Sequence, residues 1–218
     1  AIAGDRALIG FLGFLEDGRY FAFEEFGVQD GSGFPYANLF IIDLPADPWV
    51  SGSPYRARIE DESGDVEDAR DMAFEQAEGK LDEPEISISA DAIAVNGDGE
   101  EIGDGHSLTF GRPGFGLDPI QEPRELTLET IPLESNMDCS IIDNEVFGFS
   151  LSLDGGDVHT DEGPLPASRG CAMDYRIYAV VTPAAWSGRS GPTVAIVSNY
   201  PFGFEGPDRR FLAVPLPE

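Results

Sequence analysis

Apolar residues come in short runs cut by Gly, Pro, Asn and Asp, a rhythm that predicts strands joined by turns. Residues 7–14 (ALIGFLGF) make the first run. Glu16-Asp17-Gly18 supplies a turn, because glycine takes the positive φ that tight hairpins need, and Tyr20-Phe21-Ala22-Phe23 opens a second run. After the polar loop Gln29–Gly33, residues 38–44 read as a third strand and the alternating stretch 54–60 as a fourth. Further strands are expected at 85–95, 106–110, 124–133, 146–153, 175–182, 193–200 and 210–214, with the Gly/Pro-rich stretch Gly111–Pro119 as loop. The last four, joined by short polar segments, read as one antiparallel meander.

Residues 65–80 (DVEDARDMAFEQAEGK) break this rhythm. They hold few β-branched residues, and Val66, Ala69, Ala73 and Ala77 recur at helical spacing, which predicts a helix with that face inward. Ser63 or Asp65 is placed to cap its start and Gly79 to end it. The fold class that follows is mostly β: antiparallel sheets, in a sandwich or a partial propeller-like arrangement, with one α-helix near residues 65–80. The chain 1–218 is expected to form a single exported domain.

Charge narrows the partners. The chain carries 41 acidic and 13 basic residues, a net charge of −28, and Lys80 is its one lysine. Such a field repels nucleic-acid backbones and anionic lipid, so no nucleic acid is expected as a partner. Cationic partners, polyvalent cations or a saline habitat fit better. No stretch approaches the ~20 apolar residues of a membrane-spanning helix. Ala1-Ile2-Ala3-Gly4 has the small residues of a signal-peptide cleavage site, which points to export. The two cysteines, Cys139 and Cys171, are too far apart for a CxxC redox or zinc motif. Export makes them a structural disulfide; a cytosolic chain would hold them as buried free thiols.

Two resemblances add to this reading. Asp17-Gly18-Arg19-Tyr20-Phe21-Ala22-Phe23, followed by Asn38-Leu39-Phe40-Ile41-Ile42-Asp43-Leu44, looks like one blade repeat of the periplasmic TolB-type β-propellers: an Asp-Gly-Arg turn, an apolar strand, then a strand ending Ile-Asp-Leu. More widely, residues 16–44, 166–177 (PASRGCAMDYRI) and 202–214 (FGFEGPDRRFLAV) are similar to an uncharacterised family of predicted secreted proteins from alphaproteobacteria, a domain of unknown function. That resemblance implies export and a single domain; it brings no activity and no functional residues.

Candidate chemistry is sparse. There is no Gly-x-Ser-x-Gly elbow, and the two histidines, His106 and His159, are too few for a zinc site with oxidised cysteines. His159 lies between Asp157 and Asp161, a pairing compatible with a hydrolytic triad but expected by chance in so acidic a chain. Hard cations want carboxylates on turn-rich backbone. The acidic segments 61–68, 96–104 and 154–162 qualify by composition, with Asp98, Asp104, Asp154, Asp157 and Asp161 as candidate ligands, yet none has EF-hand spacing and each also reads as an ordinary acidic loop. Aromatic residues on Gly/Pro-rich loops are the more distinctive feature. Phe34, Tyr36, Tyr200, Phe202 and Phe204 either form binding loops, since such rings offer much contact area at low entropic cost, or plug the ends of sheets. The function expected is a non-catalytic periplasmic or secreted binding or protein-interaction module for an unknown protein or small ligand. Alternatives are a protein binding calcium or another cation, and a hydrolase. No cofactor is expected unless calcium is one.

Overall fold

The computed structural model describes residues 4–15, 18–46, 53–81, 86–97, 105–114, 117, 120–140, 142, 145–184 and 191–217. The chain divides into two compact units. The first comprises Ala1–Asp91, Pro183–Pro192 and Gly203–Arg210; the second comprises Ala92–Thr182, Thr193–Phe202 and Phe211–Glu218.

In the first unit β1 (Leu8–Leu15), β2 (Tyr20–Val28), β3 (Pro35–Asp43), β4 (Tyr55–Arg58) and β5 (Ile86–Ile88) form one sheet in the order β4-β3-β2-β1-β5. Gly18, with φ +70°, donates its N–H to the Leu15 carbonyl at 2.8 Å and so helps close the β1–β2 turn. Pairing of β2 with β3 runs without a break from Tyr20↔Asp43 to Val28↔Pro35. The strand period of two then sorts the side chains. Ala22, Ala37, Leu39 and Ile41 face α1 (Val66–Leu81), while Phe21, Phe23 and Phe40 stack on the opposite face, Phe23 on Phe40 with ring centroids 4.7 Å apart.

The helix matches the expectation in place and face. Ala69, Ala73 and Ala77 are fully buried against the sheet, and their small side chains let the helix lie close to it. Val66 is only half-buried. Asp65 is the cap, its Oδ1 accepting the Glu67 N–H at 2.9 Å, while Ser63 turns instead to Asp61. The helix continues past Gly79 to Leu81, a departure that costs about 1 kcal/mol of helix propensity and no more.

The second unit is a sandwich of two antiparallel four-stranded sheets. One has the order β10-β9-β8-β7, from β7 (Ser107–Pro113), β8 (Ile120–Pro132), β9 (Phe147–Leu153) and β10 (Gly156–Thr160). The other has the order β13-β12-β11-β6, from β6 (Ala90–Val95), β11 (Ala172–Pro183), β12 (Thr193–Pro201) and β13 (Arg210–Leu216). Phe110, Leu126, Leu128, Phe149 and Leu151 of the first pack against Tyr175, Ile177, Ala195, Val197 and Val214 of the second. Between the two arrangements the sequence allows, the sandwich is the one formed, and there is no closed barrel among the described residues.

Four details correct the sequence reading. Residues 146–153 do not join the last three strands in one meander; β9 pairs with β8 and β10 in the facing sheet. The acidic stretch after β9 is a strand, β10, entered through a two-residue turn in which Asp154 and Gly155 both have positive φ, 52° and 79°. That is the type I′ geometry favoured by the right-handed twist of hairpins. Gly111–Pro113 continue β7. The stretch 85–95 is two strands, β5 and β6, placed in different sheets. Cys139 and Cys171 form a disulfide with Cα atoms 5.6 Å apart, which removes the free-thiol alternative. No helix among the described residues is long and apolar enough to cross a membrane.

Candidate functional site

Of the five candidate aromatic residues, Tyr36 joins a buried charge network in the first unit and Phe204 sits on the loop that this network braces. Tyr36 is buried at the start of β3, and its hydroxyl donates to Asp5 Oδ1 at 2.9 Å. Arg210 Nη2 donates to Asp5 Oδ2 at 2.7 Å, and its guanidinium lies 5.1 Å from the centroid of the Tyr36 ring. The Asp5 N–H donates to Asp208 Oδ1 at 2.9 Å, and Arg209 donates from Nη2 to the Ala7 carbonyl at 2.7 Å. Residues 5–7 are thereby locked to residues 208–210. The loop between Gly203 and Asp208 is closed so tightly that a Cβ on Gly203 would fall 2.4 Å from both Asp208 Oδ1 and the Gly206 carbonyl. From this braced loop Phe204 projects, 91% exposed.

Electrostatics follow the burial. Removal from water pushes the Tyr36 hydroxyl well up; the Arg210 charge opposes this and Asp5 reinforces it. Burial also raises the Asp208 carboxyl, against the pull of the Asp5 N–H and Arg210. For Arg210, burial works against the charge, but Tyr36, Asp5 and Glu25 outweigh it and hold the guanidinium protonated. Most donors and acceptors in this hub already have partners within the chain. Its chemistry is that of a brace, which orders a loop.

The remaining aromatics are placed separately. Phe34 is half-buried in a loop closed by Gly33 N–H to the Gln29 carbonyl, 3.0 Å. Tyr200, in the second unit, is buried with the Arg176 guanidinium 5.4 Å from its ring centroid. Phe202, also in the second unit, is 42% exposed, and its N–H donates to the Cys171 carbonyl at 2.9 Å.

The acidic candidates diverge. Asp154 accepts the Glu125 N–H and Arg124 Nε, both at 2.9 Å. Asp157 accepts the Thr160 hydroxyl at 2.8 Å. Asp161 accepts the Phe149 N–H at 3.0 Å through Oδ2, and its Oδ1 lies 3.2 Å from His159 Nε2 and 3.4 Å from Arg169 Nη2. Burial pushes the Asp161 carboxyl up, yet His159, Arg169 and the Phe149 N–H outweigh it and leave it below the usual carboxylate range. Among the described residues no three His, Cys, Asp or Glu side chains are grouped to hold a metal ion. Asp98 and Asp104 lie outside the described residues. His106 stands apart from His159, with Nε2 3.6 Å from Asp174 Oδ1.

Sequence reasoning missed Asp5, Asp208 and Arg210, and also the buried pair of Glu24 with Arg70, whose Nη2 donates to Glu24 Oε1 at 2.6 Å. The consecutive acids Glu24 and Glu25, both buried in an otherwise apolar strand, were the one signal in the sequence. Strand alternation sends them to opposite faces, Glu24 to Arg70 and Glu25 to Asn38 Nδ2 at 2.9 Å.

The profile of a family described as "Predicted secreted protein (DUF2259)" matches residues 22–216. No curated protein and no solved structure matches the chain.

Proposed function

The chain belongs to this family of predicted secreted proteins, and from that premise we propose that it is a non-catalytic binding module, periplasmic or secreted, that engages its partner through the loop bearing Phe204. The observation that carries the reading is the near-complete exposure of Phe204, 91%, on a loop fixed by the Asp5–Asp208–Arg210 network. An aromatic ring held in place before binding brings a large contact area and loses little freedom when covered. The net charge of −28 favours a partner with positive charge, and an exposed ring face beside Glu205 attracts cations directly.

Capture from periplasmic extract with immobilised protein tests this. Phe204→Ala is expected to abolish capture of the partner while leaving the melting temperature unchanged, since a ring 91% exposed buries little surface against the described residues. Equal capture by wild type and variant sinks the reading.

A further inference from the structure

One side chain clips the two sheets of the second unit together. Asn96 follows β6, and its N–H extends the β6–β11 ladder by donating to the Tyr178 carbonyl at 2.7 Å. Its side-chain nitrogen, Nδ2, donates to the Ile177 carbonyl of β11 at 3.2 Å and to the Ser107 carbonyl of β7 at 3.0 Å. Strands β11 and β7 belong to the two facing sheets. An amide nitrogen carries two N–H donors, and here both are used. The Ile177 N–H also donates to the Gly105 carbonyl at 2.8 Å. Asn96 and residues 105–107, the two ends of the segment that crosses from β6 to β7, are thus tied to the same stretch of β11.

The chain has five asparagines, and Asn96 alone is followed by glycine. Glycine has no Cβ to shield its backbone nitrogen, so the Gly97 nitrogen is open to attack the Asn96 side-chain carbonyl carbon, Cγ. The N–Cγ bond forms, the Cγ–Nδ2 bond breaks, and Nδ2 leaves as ammonia with the Gly97 proton. Water then opens the cyclic imide at either carbonyl and gives aspartate or isoaspartate. The leaving atom is the one that holds the sheets, and it must first release both carbonyls. We propose that Asn96-Gly97 is a deamidation site gated by the sandwich, protected while the sheets are clipped and converted when they part. The product sets a carboxylate against the Ser107 and Ile177 carbonyl oxygens, acceptors with no donor among them. A passing opening of the sandwich thereby becomes a permanent loss of the clip.

Peptide mass spectrometry of the wild-type protein tests the gate. Folded protein and protein unfolded in guanidinium are held at one temperature and one mildly alkaline pH, and conversion at Asn96 is followed beside that at the other four asparagines. Asn96 is expected to convert first in the unfolded chain, and at least roughly tenfold more slowly in the folded protein. Equal rates in the two states overturn the gate; an Asn96 no faster than the other asparagines in the unfolded chain overturns the site. Two variants read the clip itself. Asn96→Ala loses both side-chain bonds and is expected to melt roughly 4–8 °C below wild type. Asn96→Asp is expected to melt lower still at pH 7, because its charge meets two carbonyl oxygens. Either variant melting with wild type overturns the proposal.

Discussion

Asp161 shows how one side chain comes to organise a corner of the second unit. Its two oxygens receive a backbone N–H, an imidazole and a guanidinium, and together these hold its carboxyl below the ordinary value despite burial. An acid whose folded-state pKa is depressed stabilises the fold fully above its unfolded value, about 3.9. That contribution is lost as the pH falls through the lower folded value. Asp161→Asn is therefore expected to cost about 1–3 kcal/mol at pH 7, with the gap to wild type narrowing in acid. Melting curves from pH 7 down to pH 3 check it, and a gap that stays constant over that range contradicts the assignment. His159 and Asp161 were visible in the sequence as neighbours. Arg169 and the Phe149 N–H were not, because nothing in a linear pattern says which strand end will meet which turn. The same holds for Tyr36, whose partner Asp5 is itself bonded to Arg210, 205 positions further along.

At the level of elements, the helix was the most legible feature. Alanines at 69, 73 and 77 recur every fourth residue, and a helix with that period presents them as one stripe. Its stability also depends on the Asp65 cap, and Asp65→Ala is expected to lower stability by about 1 kcal/mol, measured by urea unfolding. Ala73→Leu is expected to cost about 1–3 kcal/mol, because the stripe leaves no room for a larger side chain against β3 and β4. An Ala73→Leu variant as stable as wild type would show that the helix does not lie close to the sheet. Strand β10 was harder to see. Gly156, Asp157 and Thr160 are exposed, so the alternation that marks a half-buried strand is nearly absent, and the acids suggested a loop. The Asp154-Gly155 pair was the legible sign, since only a few residue types accept two successive positive φ angles.

For the molecule as a whole, two properties dominate. The first is the disulfide, which closes a loop of 32 positions and restricts the unfolded chain. Cys139→Ala is expected to cost about 3–4 kcal/mol, read from chemical denaturation under non-reducing conditions; a loss below about 1 kcal/mol contradicts the chain-entropy argument. The second is the net charge of −28, which repels itself and disfavours the compact state. Since Asp154, Asp157 and Asp161 are each engaged within the chain, we expect salt to stabilise by diffuse screening. Sodium and calcium at matched ionic strength should then raise the melting temperature nearly alike, because screening depends on ionic strength and a built calcium site does not. Saturable stabilisation at sub-millimolar calcium, lost on Asp157→Ala, would favour a cation-binding role instead.

The sequence by itself determined what depends on near neighbours and on composition. It set where most of the chain turns, which stretches apart from β10 and the end of β7 are extended, and which one is a helix. It also set which face of that helix is apolar, that the two cysteines have only each other to pair with, and the net charge of −28. Tertiary structure alone decided what depends on distant pairs. It chose which strands share a sheet, separated β9 from the last three strands, and sent Glu24 and Glu25 to opposite partners. It also brought the two ends of the chain together at Asp5 and Arg210. The physical reason is that backbone periodicity records which way a side chain points but not what it will meet. A buried charge is tolerated only where a partner arrives, and that partner is supplied by the folding of the whole chain.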